Sequence, residues 1–126
     1  MYKNLTLTAF IGALAVILGA FGAHALKETL SAAELNSFET AVRYQLYHVI
    51  ILLIINLNQA FSLKEKRIMS YLFWIGILFF SGSIYAMYLA KVPAKSIWFI
   101  TPLGGLLLIL GWFYLGVTFF RKSAKK

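Results

Sequence analysis

The sequence predicts an all-α integral membrane protein, a four-helix bundle with both termini in the cytoplasm. Three observations carry that prediction. Of 126 residues, 61% are hydrophobic and only 13% are charged, about half the charged share of an ordinary soluble domain. Four stretches of 18 to 25 residues contain no Lys, Arg, Asp or Glu. The charges that remain, twelve Lys or Arg against four Glu, gather between those stretches and at the chain ends. The absence of cysteine excludes disulfides, thiolate metal sites and cysteine nucleophiles. The chain is read as a single transmembrane domain over residues 1–126.

The expected spans are residues 5–26, 44–61, 68–90 and 96–120. A helix needs roughly 20 apolar residues to cross the hydrocarbon core, and the second run only just suffices. The runs are continuous rather than alternating, which argues against membrane strands. The first run follows Lys3 and ends near a small-x-small Ala23-His24-Ala25, as a signal peptide does. It is longer than the roughly 7–15 apolar residues of such a segment, and it is expected to be a span.

Helix starts are legible. Ser31-Ala-Ala-Glu34 has the form of a capping box, with Leu30 and Leu35 placed for a hydrophobic staple. The second helix is therefore expected to begin near Ala32. Running to Phe61 it would be about 45 Å long, more than the ~30 Å core. Its start, residues 32–43, is expected to project into water or lie along the interface, with Glu39 and Arg43 paired four apart. Ser62-Leu-Lys-Glu65 is a second capping box. Thr101-Pro102 either kinks the last helix or starts it.

Orientation follows from charge. Lys3, Lys64, Lys66, Arg67, Arg121, Lys122, Lys125 and Lys126 lie on the side of the termini, and Lys27, Arg43, Lys91 and Lys95 on the other. The positive-inside rule assigns the richer side to the cytoplasm. Tyr44, Tyr88 and Trp98 mark the outer boundary and Tyr2, Tyr71 and Tyr114 the inner one. The net charge of +8 is not read as nucleic-acid binding, because the basic residues sit at helix ends. The basic tail is matched instead to anionic headgroups at the cytoplasmic face, and membrane lipids are the expected partners.

Two kinds of face are expected inside the membrane. Small residues let helices pack closely in lipid, where no hydrophobic force drives them together. Thr8, Gly12, Ala15, Gly19, Gly22 and Ala23 form such a face on the first helix. Gly76 and Ser83 form one on the third, and Gly104 and Gly111 one on the fourth, with Gly105 and Gly116 beside it. The second helix has a polar stripe of Gln45, His48, Asn56 and Gln59, with Tyr44 and Tyr47 flanking it. Such a stripe must face protein or trapped water.

Topology places His24, Arg43, Tyr44, Gln45, His48, Ser81, Ser83 and Thr101 toward the outer leaflet as a candidate polar or ligand cluster. Tyr85 shares that half. Ser81, Ser83 and Thr101 are the expected hydroxyl partners of His48. Two histidines without a buried Asp, Glu or Cys fall short of a metal site. A serine beside His48 lacks a carboxylate to orient the imidazole. No catalytic residue, metal or cofactor is therefore expected.

Gly19-Ala-Phe-Gly-Ala-His-Ala-Leu-Lys27, Arg43-Tyr-Gln-Leu-Tyr-His48, Phe79-Phe-Ser-Gly-Ser-Ile-Tyr85, Thr101-Pro-Leu-Gly-Gly105 and Gly111-Trp112 together resemble the bacterial family called domain of unknown function 423, which is related to the eukaryotic transmembrane protein 256. The resemblance covers nearly the whole chain. It implies a small multi-pass protein of the bacterial inner membrane, and it carries over no substrate, cofactor or catalytic residue.

Three functional readings stand at this level. The first is a non-enzymatic protein with a structural or organising role in the membrane, acting through a homo-oligomer or a membrane protein partner. The second is a lipid- or small-molecule-binding protein built on the cluster around His48. The third is an intramembrane enzyme.

Overall fold

The computed structural model describes residues 2–125, all of whose regular structure is helical. Lys126, counted above in the basic tail, lies outside the described residues. The helices are α1 (Tyr2–His24), α2 (Ala32–Leu57), α3 (Leu63–Leu89), the single turn α4 (Ala94–Ile97) and α5 (Ile100–Ala124). A 3-10 turn, Leu26–Glu28, joins α1 to α2. α1, α2, α3 and the segment Ala94–Ala124 are each long and apolar enough to cross a membrane.

Local chemistry sets the ends. Both capping boxes form. Ser31 Oγ accepts from the Glu34 N–H at 3.2 Å, while the Ser31 N–H donates to Glu34 Oε1 at 3.1 Å. Ser62 and Glu65 repeat the exchange at 3.2 and 2.8 Å. The Ser62 N–H at its carboxylate, with Lys122 beside it, holds Glu65 below the usual carboxylate range. Pro102 lies in the first turn of α5, where a missing N–H costs nothing. α5 begins two residues earlier, at Ile100, so the proline is the third residue of the helix and not its first.

α2 stops at Leu57, short of Phe61. Asn58 Oδ1 accepts the Ala60 N–H at 2.8 Å, and this side-chain turn competes with continued helix. Lys66 Nζ then donates to the freed Asn56 carbonyl at 3.0 Å. Phe61 folds back into the core, its ring 5.2 Å from that of Phe119. α3 ends where Lys91 adopts a left-handed φ of 57°.

Backbones approach closely between α1 and α2, α2 and α3, and α3 and α5. The buried stripe on α2 runs Phe38, Ala41, Gln45, His48, Leu52 and Ile55, with Val49 and Asn56 buried beside it, and that on α5 runs Gly104, Leu108, Gly111, Leu115 and Thr118. Both step by three and four, the period of helices kept in contact over their whole length. The core is a continuous cluster that includes Leu52, Ile55, Met69, Phe73, Ile77 and Leu108.

α2 is already packed from Phe38, which is fully buried against Gly22 of α1 and Tyr85 of α3. Only its first turn and a half, residues 32–37, extends past the bundle. The expected start of the membrane span on this helix, residue 44, falls inside this packed part, six residues after Phe38. Hydropathy placed that boundary at Arg43, which is exposed and lies 3.9 Å from Glu39, while the other face of the same turns is buried.

Glycines carry the close approaches. A Cβ on Gly104 would collide with the backbone of Phe79 and Phe80. One on Gly76 would lie 2.6 Å from Leu108 Cδ2, and one on Gly111 2.6 Å from Phe73 Cε1. On α1, a Cβ on Gly22, Gly19 or Gly12 would lie 2.8, 3.2 or 3.1 Å from Phe38, Val42 or Val49 respectively, and Ala15 is fully buried. Ala23 is exposed and leaves the expected face, because buried positions on α1 recur every seven residues at Thr8, Ala15 and Gly22. Gly105 makes only ordinary contact with Phe80 at 3.7 Å, and Gly116 faces open space.

Gly104→Ala should therefore lower thermal stability in detergent by about 1–3 kcal/mol, because the atom it would strike is backbone and cannot swing away. Gly116→Ala should leave stability unchanged or slightly raised. Equal melting temperatures for the two variants would contradict this account of the α3–α5 seam.

Candidate functional site

The candidate site is the polar stripe of α2 and the groups that meet it. Helical geometry puts Gln45, His48 and Asn56 on one side, and all three are buried. The stripe faces protein, as the sequence required. Gln59 lies beyond the end of α2, exposed, and drops out of the stripe.

Gln45 links three helices. Its Nε2 donates to the Ile11 carbonyl of α1 at 2.8 Å, and its Oε1 accepts from the Tyr85 hydroxyl of α3 at 2.6 Å. The carbonyl can only accept, which fixes the orientation of the amide.

His48 joins α2 to α5. Its Nδ1 lies 2.6 Å from the Tyr44 carbonyl, so Nδ1 carries the proton. Nε2 is left as an acceptor, and the Trp112 indole N–H donates to it at 3.0 Å. Both ring nitrogens are occupied. The imidazole is walled by Phe73 and Trp112, with ring centroids 5.4 and 6.0 Å away.

Toward the termini, Asn56 Nδ2 donates to the Leu52 carbonyl at 2.9 Å and to Ser70 Oγ at 3.0 Å. Its Oδ1 accepts from Asn4 Nδ2 at 3.2 Å. Toward the opposite end, Ser81 Oγ donates to the Ala41 carbonyl at 2.7 Å, and Ser83 shares a hydrogen bond with Thr101. Among the described residues no buried side-chain nitrogen or oxygen is left without a partner.

The expected cluster therefore divides. Gln45 and His48 stand at its centre, and Tyr44 contributes its carbonyl while its ring stays exposed. Ser81, Ser83 and Thr101 are engaged with groups other than His48, contrary to expectation. His24 is exposed at the end of α1, and Arg43 is exposed and bonded to Thr40 Oγ1 at 3.0 Å. Neither belongs to the site. His48 lies nine residues from Leu57, about 13.5 Å along the axis of α2.

Trp112, Trp74, Asn4 and Ser70 are the partners that the sequence reading did not assign. Trp74 donates its indole N–H to Thr8 Oγ1 at 3.2 Å. A signal was available for the tryptophans. Both lie near mid-helix rather than at an interface, and an indole N–H needs an acceptor there.

Tyr85→Phe strips Gln45 Oε1 of its donor and should cost about 0.5–2 kcal/mol of stability in detergent. Pairing it with Gln45→Leu should cost less than the sum of the two single changes, since the second removes the orphaned acceptor. Strict additivity in that double-mutant cycle would mean that the bond contributes nothing.

Residues 18–105 match the family described as protein of unknown function DUF423. The chain is 40% identical over 122 residues to a UPF0382 membrane protein of Haemophilus influenzae, covering 97% of each chain. It is 41% identical over 108 residues to one from Staphylococcus saprophyticus, covering 86% of this chain and 88% of that protein. To the UPF0382 inner membrane protein YgdD of Escherichia coli K12 it is 35% identical over 114 residues, covering 86% and 82%. No solved structure matches it. With four helices able to cross a membrane and relatives named as membrane proteins along nearly their whole length, the chain is a multi-pass membrane protein that belongs to the DUF423 family.

Proposed function

We propose that the protein is a non-enzymatic component of the membrane with a structural or organising role, exercised through a second copy or another membrane protein. The observation that carries this reading is the commitment of the interior polar groups to one another. His48 uses both nitrogens inside the bundle, so neither is free as a base or a ligand. The hydroxyls of Ser81 and Ser83 are held by the Ala41 carbonyl and by Phe80 and Thr101. Groups so engaged fix helix register, and a reaction or a bound ligand at His48 would have to break those bonds first. The lipid-binding reading centred on His48 is disfavoured for the same reason.

Native electrophoresis of membranes solubilised in mild detergent tests the role. The protein should migrate in a discrete assembly well above its 14.2 kDa chain mass. A lone monomer, together with in-membrane cross-linking that captures no protein, would overturn the organising role.

The same reading places both termini in the cytoplasm. Eight basic residues lie on the side of the termini and four on the other, and the basic tail meets anionic headgroups there. A green fluorescent protein fused to the C-terminus should fluoresce, and alkaline phosphatase at the same position should be inactive. The reverse pair of results would invert the topology.

A further inference from the structure

α1 and α3 do not share the close backbone approach that α1 makes with α2, α2 with α3 and α3 with α5. The indole of Trp74 reaches across from α3 to Thr8 and bridges a cleft between them. Toward the chain termini the cleft opens into a polar recess of about 240 Å³, lined by Lys3, Asn4, Leu63, Arg67, Tyr71 and Trp74. Away from them it continues as a mainly apolar groove of about 160 Å³, whose walls include Leu14 of α1, Trp74, Ile77 and Gly82 of α3, and the hydrogen-bonded pair Gln45 and Tyr85. Trp74 lines both.

The two halves ask for different chemistry. Among the described residues the ion pairs are Glu39–Arg43 and Glu65–Lys122, so Lys3 and Arg67 face the recess with no carboxylate partner there. Two uncompensated cations beside the Asn4 amide and the Tyr71 hydroxyl suit an anion. The groove suits a hydrocarbon chain. Arg67 and Ile77 are about 15 Å apart along the axis of α3. That is half of the ~30 Å hydrocarbon core, the depth of one leaflet.

The geometry points to an anionic phospholipid held in the α1–α3 cleft. Its phosphate lies between Lys3 and Arg67, and one acyl chain lies past Trp74 along the groove. The occupant is a lipid rather than a free phosphate, because a soluble anion would leave the apolar half of the same cleft uncovered. The cleft borders the polar stripe, since Asn4 lines the recess and Gln45 and Tyr85 line the groove, but His48 faces Trp112 of α5 and lines neither half. The site stands whichever leaflet the termini face.

Native mass spectrometry on delipidated protein, titrated with phosphatidylglycerol or with phosphatidylcholine of the same chains, tests it. The protein should retain one phosphatidylglycerol and bind phosphatidylcholine far more weakly. The double variant Lys3→Gln/Arg67→Gln should bind phosphatidylglycerol roughly tenfold to thirtyfold more weakly. Arg121→Gln/Lys125→Gln removes two cations from the same end outside the cleft and should bind as the parent does. Gly82→Leu should also weaken binding by filling the groove. A Cβ at Gly82 has room, with its nearest neighbour Leu78 Cδ1 at 3.7 Å, and the melting temperature of the variant checks its fold.

Equal retention of both lipids would overturn the proposal. So would equal loss in the Arg121/Lys125 pair, or unchanged binding in the Lys3/Arg67 pair at an unaltered melting temperature. Inorganic phosphate that competes with the lipid at millimolar concentration, with Gly82→Leu binding as the parent does, would assign the recess to a soluble anion instead.

Discussion

A polar group inside a bilayer has no water to turn to, and this constraint organises the molecule. α2 carries a glutamine, a histidine and an asparagine on one face, and any rotation that showed them to lipid would cost several kcal/mol for each unmet group. α2 must therefore be covered, and the covering helices must supply partners at the right heights. Ile11 and Tyr85 answer Gln45, Trp112 answers His48, and Ser70 and Asn4 answer Asn56. Each bond sets the height of one helix against another. Apolar packing alone would tolerate a slide by one turn, whereas a displaced hydrogen bond leaves two orphaned groups.

Close approach then supplies the attraction that hydrophobicity cannot supply between helices in lipid. It is distributed unevenly. The α3–α5 seam is built on Gly76, Gly104 and Gly111, each filled by the side chain or backbone opposite. The α1–α2 seam uses Gly12, Gly19 and Gly22 against Val49, Val42 and Phe38. Between α1 and α3 the connection described is a single indole bond. The bundle is tight along the α1–α2, α2–α3 and α3–α5 seams and parted between α1 and α3, and the parted seam is the one that carries unpaired cations at its mouth.

The ends are closed by ordinary aqueous chemistry. Two capping boxes start α2 and α3, and Asn58 turns the chain between them. Lys122 reaches Glu65 at 3.1 Å and lies over the Phe61 ring, tying the end of α5 to the start of α3. That pair is partly exposed and contributes on the order of 1 kcal/mol or less. Its effect is to hold the last turn of α5 over Phe61, which keeps the connection between α2 and α3 folded under the core.

Some of this was written in the residues themselves. Uncharged runs of spanning length specify four membrane helices because the cost of a charge in hydrocarbon is paid residue by residue. Ser-x-x-Glu specifies a helix start because all its bonds close within four residues. The inward turn of Gln45, His48 and Asn56 follows from helical period and the price of exposing them. Pairing is different, because it depends on axial offsets and rotations set by several helices at once. Ser81, Ser83 and Thr101 have the right chemistry for His48, yet the offset of α5 brings Trp112 there instead. Ala23 belongs by composition with Gly22, yet a seven-residue contact repeat leaves it outside. Hydropathy set the start of the second span just after Arg43, whereas the packed part of α2 begins earlier, with Phe38 buried against α1 and α3. Periodicity identifies which face of a helix turns inward. Which neighbour that face meets, and at what height, was decided by packing among helices distant in the chain.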